Sequence, residues 1–144
     1  MDLLGRSVFV DPPDQRQRLW AVDVAVRCPA VTAVIADGRH WNMAATRRLQ
    51  LAAREGGALV LLGRDGSETG QLSAAATRWR VLPMVTAGKR PRWQVQLLRC
   101  KGVQPSAHTE GSPLWSLEWN HEKGTVNIPA DVADRPAEAA RSIA

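Results

Sequence analysis

The stretch "VTAVIADGRHW", residues 31–41, decides the fold. Its first six residues, Val31 to Ala36, are apolar and rich in β-branched side chains, without alternation. That pattern predicts a strand buried on both faces, as in a parallel sheet covered by helices. The run stops at Asp37 and Gly38. In nucleotide-binding α/β proteins a strand that ends in Asp often sets that carboxylate beside a magnesium ion. The sequence therefore raises the question of whether Asp37 belongs to a nucleotide site.

Upstream, "SVFVD" (7–11) is a short apolar run closed by Pro12 and Pro13, and reads as a strand followed by a turn. Asp14 then opens a helix over "DQRQRLWAVDVAVRC". Leu19, Val22 and Val26 recur at helical spacing, as do Trp20 and Val24, and Pro29 stops the helix. Downstream, "NMAATRRLQLAAREGG" (42–57) carries the strongest helical pattern. Asn42 is its N-cap, and Trp41, Ala45, Leu49 and Ala52 trace an inner face. Gly56 and Gly57 end it. "ALVLLG" (58–63) reads as a further buried strand, and "RDGSETGQLS" (64–73) as a long polar loop of the kind that carries function.

The second half changes period. "ATRWRVLPM", "RWQVQLLRCK" and "LWSLEWN" alternate polar with apolar residues, which predicts antiparallel strands. "TAGKRP" and "GVQPSAHTEGSP" are their connections, and "GTVNIP" is a final short strand. The expected fold class is α/β: one mixed sheet, with a parallel βαβαβ part followed by an antiparallel meander. The expected organisation is one domain over 1–128 and a flexible tail over 129–144.

Bulk properties narrow the function. The chain has 144 residues, 44% of them hydrophobic, enough for one real core. No apolar run approaches the roughly 20 residues that span a bilayer, and the acidic N-terminus is no signal peptide, so a cytoplasmic location is expected. Cys28 and Cys100 form no CxxC pair and read as buried free thiols. No metal and no cofactor is expected. The net charge is +5. Between Arg78 and Lys101 stand Arg78, Arg80, Lys89, Arg90, Arg92, Arg99 and Lys101, with no Asp or Glu among them. This set is the candidate nucleic-acid surface, a phosphate-binding strip that gives affinity without reading sequence. The plainer alternative is a solvated strand face whose Arg stems cover apolar surface. On the second helix, Arg47, Arg48 and Arg54 (with Gln50) are the candidate partner-binding set; an ordinary exposed helix face is the alternative.

A phosphate-binding loop needs Gly-x-x-x-x-Gly-Lys-Ser/Thr. The sequence has no such motif: Arg90 follows the Gly88-Lys89 pair, and Pro83 stands where the first glycine belongs. Asp37 is accordingly read as a strand-ending carboxylate with local hydrogen bonds. His40, His108 and His121 are isolated, and no Gly-x-Ser-x-Gly occurs, so no catalytic residue is assigned and no enzyme is expected. Trp20, Trp41, Trp79, Trp93, Trp115 and Trp119 are expected in the core or at an interface, with Trp79 in the core.

"LWAVDVAVRCPAVTAVIAD", "AATRRLQLAAREGGALVLL" and "ATRWRV", followed by "WQVQLLRCKGVQP" and "LWSLEWN", resemble the ImuA family of RecA-like proteins. The resemblance covers roughly Val8 to Asn120. It implies the middle and end of a RecA-like core, without the upstream half that holds the phosphate loop. It implies an accessory role in SOS mutagenesis and translesion DNA synthesis, alongside a Y-family polymerase homologue or other mutasome protein, and possible contact with single-stranded DNA. Arg99 and Lys101 match a basic pair that in RecA reaches a neighbour's nucleotide, and the loop at Arg64–Gln71 matches a DNA-binding loop. Two rivals stand beside this reading. One is a SulA-like inhibitor that covers a tubulin-like division protein. The other is a nucleotide-binding module completed by a partner chain through Asp37.

Overall fold

Asp14 sits in extended backbone and its carboxylate accepts a hydrogen bond from the Gln17 amide at 2.7 Å, so the first helix begins there. That helix, α1, runs Gln15–Arg27. The computed structural model describes residues 2, 4–86, 90–102 and 114–128. It divides between Ala75 and Ala76 into two compact units.

In the first unit α1 is followed by strand β1 (Ala33–Asp37), helix α2 (Met43–Gly56) and strand β2 (Leu59–Gly63). β1 and β2 pair in parallel, Ala33 opposite Leu59 through Asp37 opposite Gly63. α2 starts as expected: Asn42 Oδ1 accepts from the Ala45 amide at 2.9 Å. It ends at Gly57, whose φ of 71° is the left-handed turn glycine adopts without a steric penalty. The core joins Val22 and Val26 of α1 to Leu49 and Ala52 of α2, with Trp41 and Ala58; Val34, Ala36, Val60 and Leu62 pack on it from the sheet. Both helices therefore cover the same sheet face.

Three expectations are corrected here. First, the strands are not buried on both faces. Ile35 is 79% exposed, and Leu59 and Leu61 are exposed beside it. An unbroken apolar run shows that both faces suit burial, not that both are covered. Second, Ser7–Asp11 is not a strand: Val8, Phe9 and Val10 are exposed and belong to no strand. A strand needs another strand's amides and carbonyls, which apolar composition does not supply. Third, of the two places expected for Trp20, core or interface, the core is excluded: Trp20 is 64% exposed, and the buried side of α1 carries Asp23 beside Val22 and Val26.

The second unit is a meander of β3 (Thr77–Met84), β4 (Arg92–Cys100), β5 (Leu114–Asn120) and β6 (Thr125–Asn127). Its strands lie in the order β3-β4-β5-β6, each antiparallel to the next. A bulge at Arg78/Trp79 lets β3 and β4 slip by one residue. On one face lie Trp79, Val81, Trp93, Val95, Leu97, Trp115 and Leu117; Trp79 and Trp115 bring their ring centroids to 5.7 Å. Trp79 is 47% exposed, which corrects its assignment to the core. The single mixed sheet is corrected as well: the described strands form a parallel pair and a separate four-stranded antiparallel sheet. Among the described residues β3 to β6 pair in series along the meander, while β1 and β2 pair with each other. The ends of the "TAGKRP" connection are described, but its centre, most of "GVQPSAHTEGSP" and the 129–144 tail lie outside the described residues.

The α1–α2 contact is tight at one point. A Cβ placed on Gly56 would stand 2.1 Å from the Val26 carbonyl oxygen, whereas one placed on Gly57 would meet nothing within 4 Å. Gly56→Ala is expected to force α1 outward and cost about 1–3 kcal/mol. Gly57→Ala pays only for the left-handed backbone, roughly 1 kcal/mol. Urea unfolding of the two variants checks that Gly56→Ala is the worse.

Candidate functional site

In open α/β sheets, ligands gather outside the carboxyl ends of the strands. Here that end holds Asp37, the turn Gly38–Trp41 and the loop after Gly63. Gly38 is fixed between layers: its amide donates to the Gly63 carbonyl at 2.8 Å, and a Cβ there would lie 3.0 Å from Leu62 Cβ.

Asp37 is fully engaged. Arg39 donates to it from its backbone amide and Nε at 3.0 Å and from Nη2 at 2.7 Å. Arg18 reaches across from α1, with Nη1 on Oδ2 at 3.0 Å. The Arg39 guanidinium and amide, then the more distant charge of Arg18, hold the carboxyl far below the usual carboxylate range. Both oxygens already accept charge-assisted bonds, so a divalent cation would have to displace two guanidiniums. Local hydrogen bonding, expected from sequence, is what Arg39 provides; the reach of Arg18 over 19 residues was not legible there.

The neighbouring turn is held by a second acid. His40 has φ 63°, a left-handed conformation uncommon for a residue with a side chain. In that pose its amide donates to Glu68 Oε1 at 3.0 Å. Glu68 is buried, and Arg64 Nε donates to its other oxygen at 2.8 Å. Arg64 also donates to Gln71 at 2.7 Å. The Arg64 guanidinium, and after it the His40 amide, lower the Glu68 pKa against the opposing effect of burial. The loop over Arg64–Gln71 is thus a short 3-10 turn (Gly66–Glu68) pinned to the end of β1. Its one cation is spent inside the loop.

The candidate basic residues fall into separate groups. Arg47 and Arg54 lie on the solvent side of α2, Arg47 donating to Gln50 at 2.8 Å. Arg48 turns away from them to Asp23 on α1, with Nε at 3.1 Å and Nη2 at 2.8 Å. Asp23, which sequence reading missed, is buried and also takes Arg27 at 3.4 Å. The Arg48 bond is the largest effect lowering its pKa, opposed by burial and joined by Arg27. In the second unit Arg78 and Arg80 share the face that holds Arg92, opposite the tryptophans. Arg78 pairs in register with Arg99. Arg92 and Arg90 both close on Glu118, at 2.7 and 3.2 Å, and lower its pKa in that order. Lys101 follows β4, its amide on the Ala76 carbonyl. Lys89 lies outside the described residues. The fold thus brings Arg78, Arg80, Arg92 and Arg99 to one sheet face but does not leave a bare cationic strip, since Glu118 answers two members of the set. Cys28 and Cys100 are free and only half-buried.

Fold and site together describe an α/β protein whose strand-end carboxylate is answered by arginines. Along nearly its whole length the chain is similar to protein ImuA from two strains of Caulobacter vibrioides. Each is 29% identical over 154 residues, covering 96% of this chain and 62% of the relative. It is also 29% identical over 142 residues to a UPF0282 protein of Pyrobaculum neutrophilum, covering 92% of this chain and 44% of that protein. The chain therefore spans less than two thirds of the length of the curated relatives it matches. No family model and no solved structure matches it. No helix among the described residues is long and apolar enough to cross a membrane.

These carboxylates have pKa values below their ordinary ones, so their contribution to stability is present above about pH 4 and lost as pH falls through the folded values. Thermal melting between pH 2 and 7 should show this acid-side loss. Arg39→Ala removes the main support of Asp37, so its melting temperature is expected to be lower at pH 7 and to fall by less between pH 5 and pH 2 than that of the native chain.

Proposed function

We propose that this chain is a non-catalytic accessory protein of SOS mutagenesis, with a partial RecA-like core, acting in translesion DNA synthesis by docking other proteins. The similarity to ImuA over 96% of the chain is the observation that carries this reading. The Asp37 arrangement supports the non-catalytic part. A RecA-like ATPase needs its strand-end carboxylate available to a metal-bound triphosphate, and here two guanidiniums hold it. The same fact weighs against a module completed by a partner's phosphate loop.

The expected partners are a Y-family polymerase homologue or another protein of the same assembly. Contact with single-stranded DNA is a second, subordinate role. It rests on Arg78, Arg80, Arg92 and Arg99 sharing one sheet face, where phosphate contacts would be sequence-independent and salt-sensitive.

The deciding experiment deletes the gene in its host and scores ultraviolet-induced mutation frequency. Induced mutagenesis is expected to fall several-fold and to return when this chain is supplied from a plasmid. Unchanged mutation frequency in the deletion, or steady ATP hydrolysis by the purified chain, would reject the reading.

A further inference from the structure

Helix α2 buries Thr46, Leu49 and Ala52 and turns the opposite side outward. At about 100° per residue, Met43, Arg47, Leu51 and Arg54 fall within an arc of roughly 80° at the centre of that outer side. Helix patterning puts polar residues there. Instead Met43 is 41% and Leu51 43% exposed, and Arg47 and Arg54 stand between and beyond them. The stripe runs for about 16 Å along the helix. Its charge is of one sign. Glu55, at the edge of the arc, is already paired to Arg27 at 2.8 Å. Among the described residues neither Arg47 nor Arg54 forms an ion pair with a carboxylate, whereas Arg48, off the arc, is committed to Asp23.

Two exposed apolar side chains alternating with two cations favour one kind of partner. Phosphates gain nothing from Leu51 and Met43. A peptide that brings an apolar side chain with carboxylates around it satisfies both parts of the stripe. We propose that Met43, Arg47, Leu51 and Arg54 form a docking surface for an acidic segment of a partner protein, one that presents an aliphatic or aromatic anchor flanked by Asp or Glu. This rests on the docking role proposed above and gives it a surface and a partner chemistry. The anchor lies against Leu51 and Met43, and the carboxylates close on the two guanidiniums, where charge-assisted pairs set orientation and encounter rate.

The test is selection of a random twelve-residue peptide display library on the purified full chain, with a labelled dT20 oligonucleotide as a parallel probe. Enriched peptides are expected to carry at least two acidic residues around an apolar one. Their binding should weaken about tenfold or more in Arg47→Glu/Arg54→Glu and also in Leu51→Ser. The milder pair Arg47→Gln/Arg54→Gln, checked by circular dichroism, serves if charge reversal disturbs folding. Absence of enrichment, enriched peptides without acidic residues, or peptides indifferent to these substitutions would overturn the proposal. So would dT20 binding that falls with Arg47→Glu/Arg54→Glu but not with Leu51→Ser. Loss of the surface with intact plasmid complementation leaves the accessory role standing. Failure to complement, with peptides behaving as expected, removes that role and keeps the surface.

Discussion

Three carboxylates each held by two arginines organise this protein. Asp23 takes Arg27 and Arg48, Asp37 takes Arg18 and Arg39, and Glu118 takes Arg90 and Arg92. The first pairing ties α1 to α2, and the second ties α1 to the end of β1. The third fastens the start of β4 to β5. An acid half out of water is costly unless it is well bonded, and two guanidiniums meet that need. Ion pairs whose arginine ends still reach water add little stability one by one. What they do is fix which cations are committed to the fold, so the excess of positive charge in the sequence is a poor guide to which arginines are available for a partner.

Much of the local architecture could be read from the residues. Asn42 and Gly57 bracket α2 because capping depends on neighbours a few residues away, and the alternation in 76–84 and 92–101 marks strands for the same reason. What escaped the reading is non-local. The Arg48–Asp23 and Arg90–Glu118 pairs join residues 25 and 28 apart, and no periodicity announces them. The apolar runs at 7–11, 31–36 and 58–63 each read as strands, the latter two as buried ones. Yet pairing and covering are supplied by other segments, and composition cannot say whether those segments are there.

For the candidate site the balance is similar. The position of Asp37 at the end of a strand is visible in "AVIAD". That Arg18 reaches it from α1 is not. The split of the helix cations, with Arg47 and Arg54 outward and Arg48 turned to α1, follows from the helical turn once the position of Asp23 is known. A +5 chain thus resolves into cations that build the structure and cations placed where another macromolecule can meet them.

His40 carries a last implication. Its peptide unit is bent into a left-handed turn so that the amide faces a buried acid. The imidazole is largely exposed, with Nδ1 3.6 Å from the same Glu68 oxygen. A left-handed backbone of this kind suits glycine or asparagine, while valine, isoleucine or threonine would strain it. A histidine seen there from sequence alone invites a catalytic story, but in the structure its backbone amide and its ring both serve the buried acid that holds the turn.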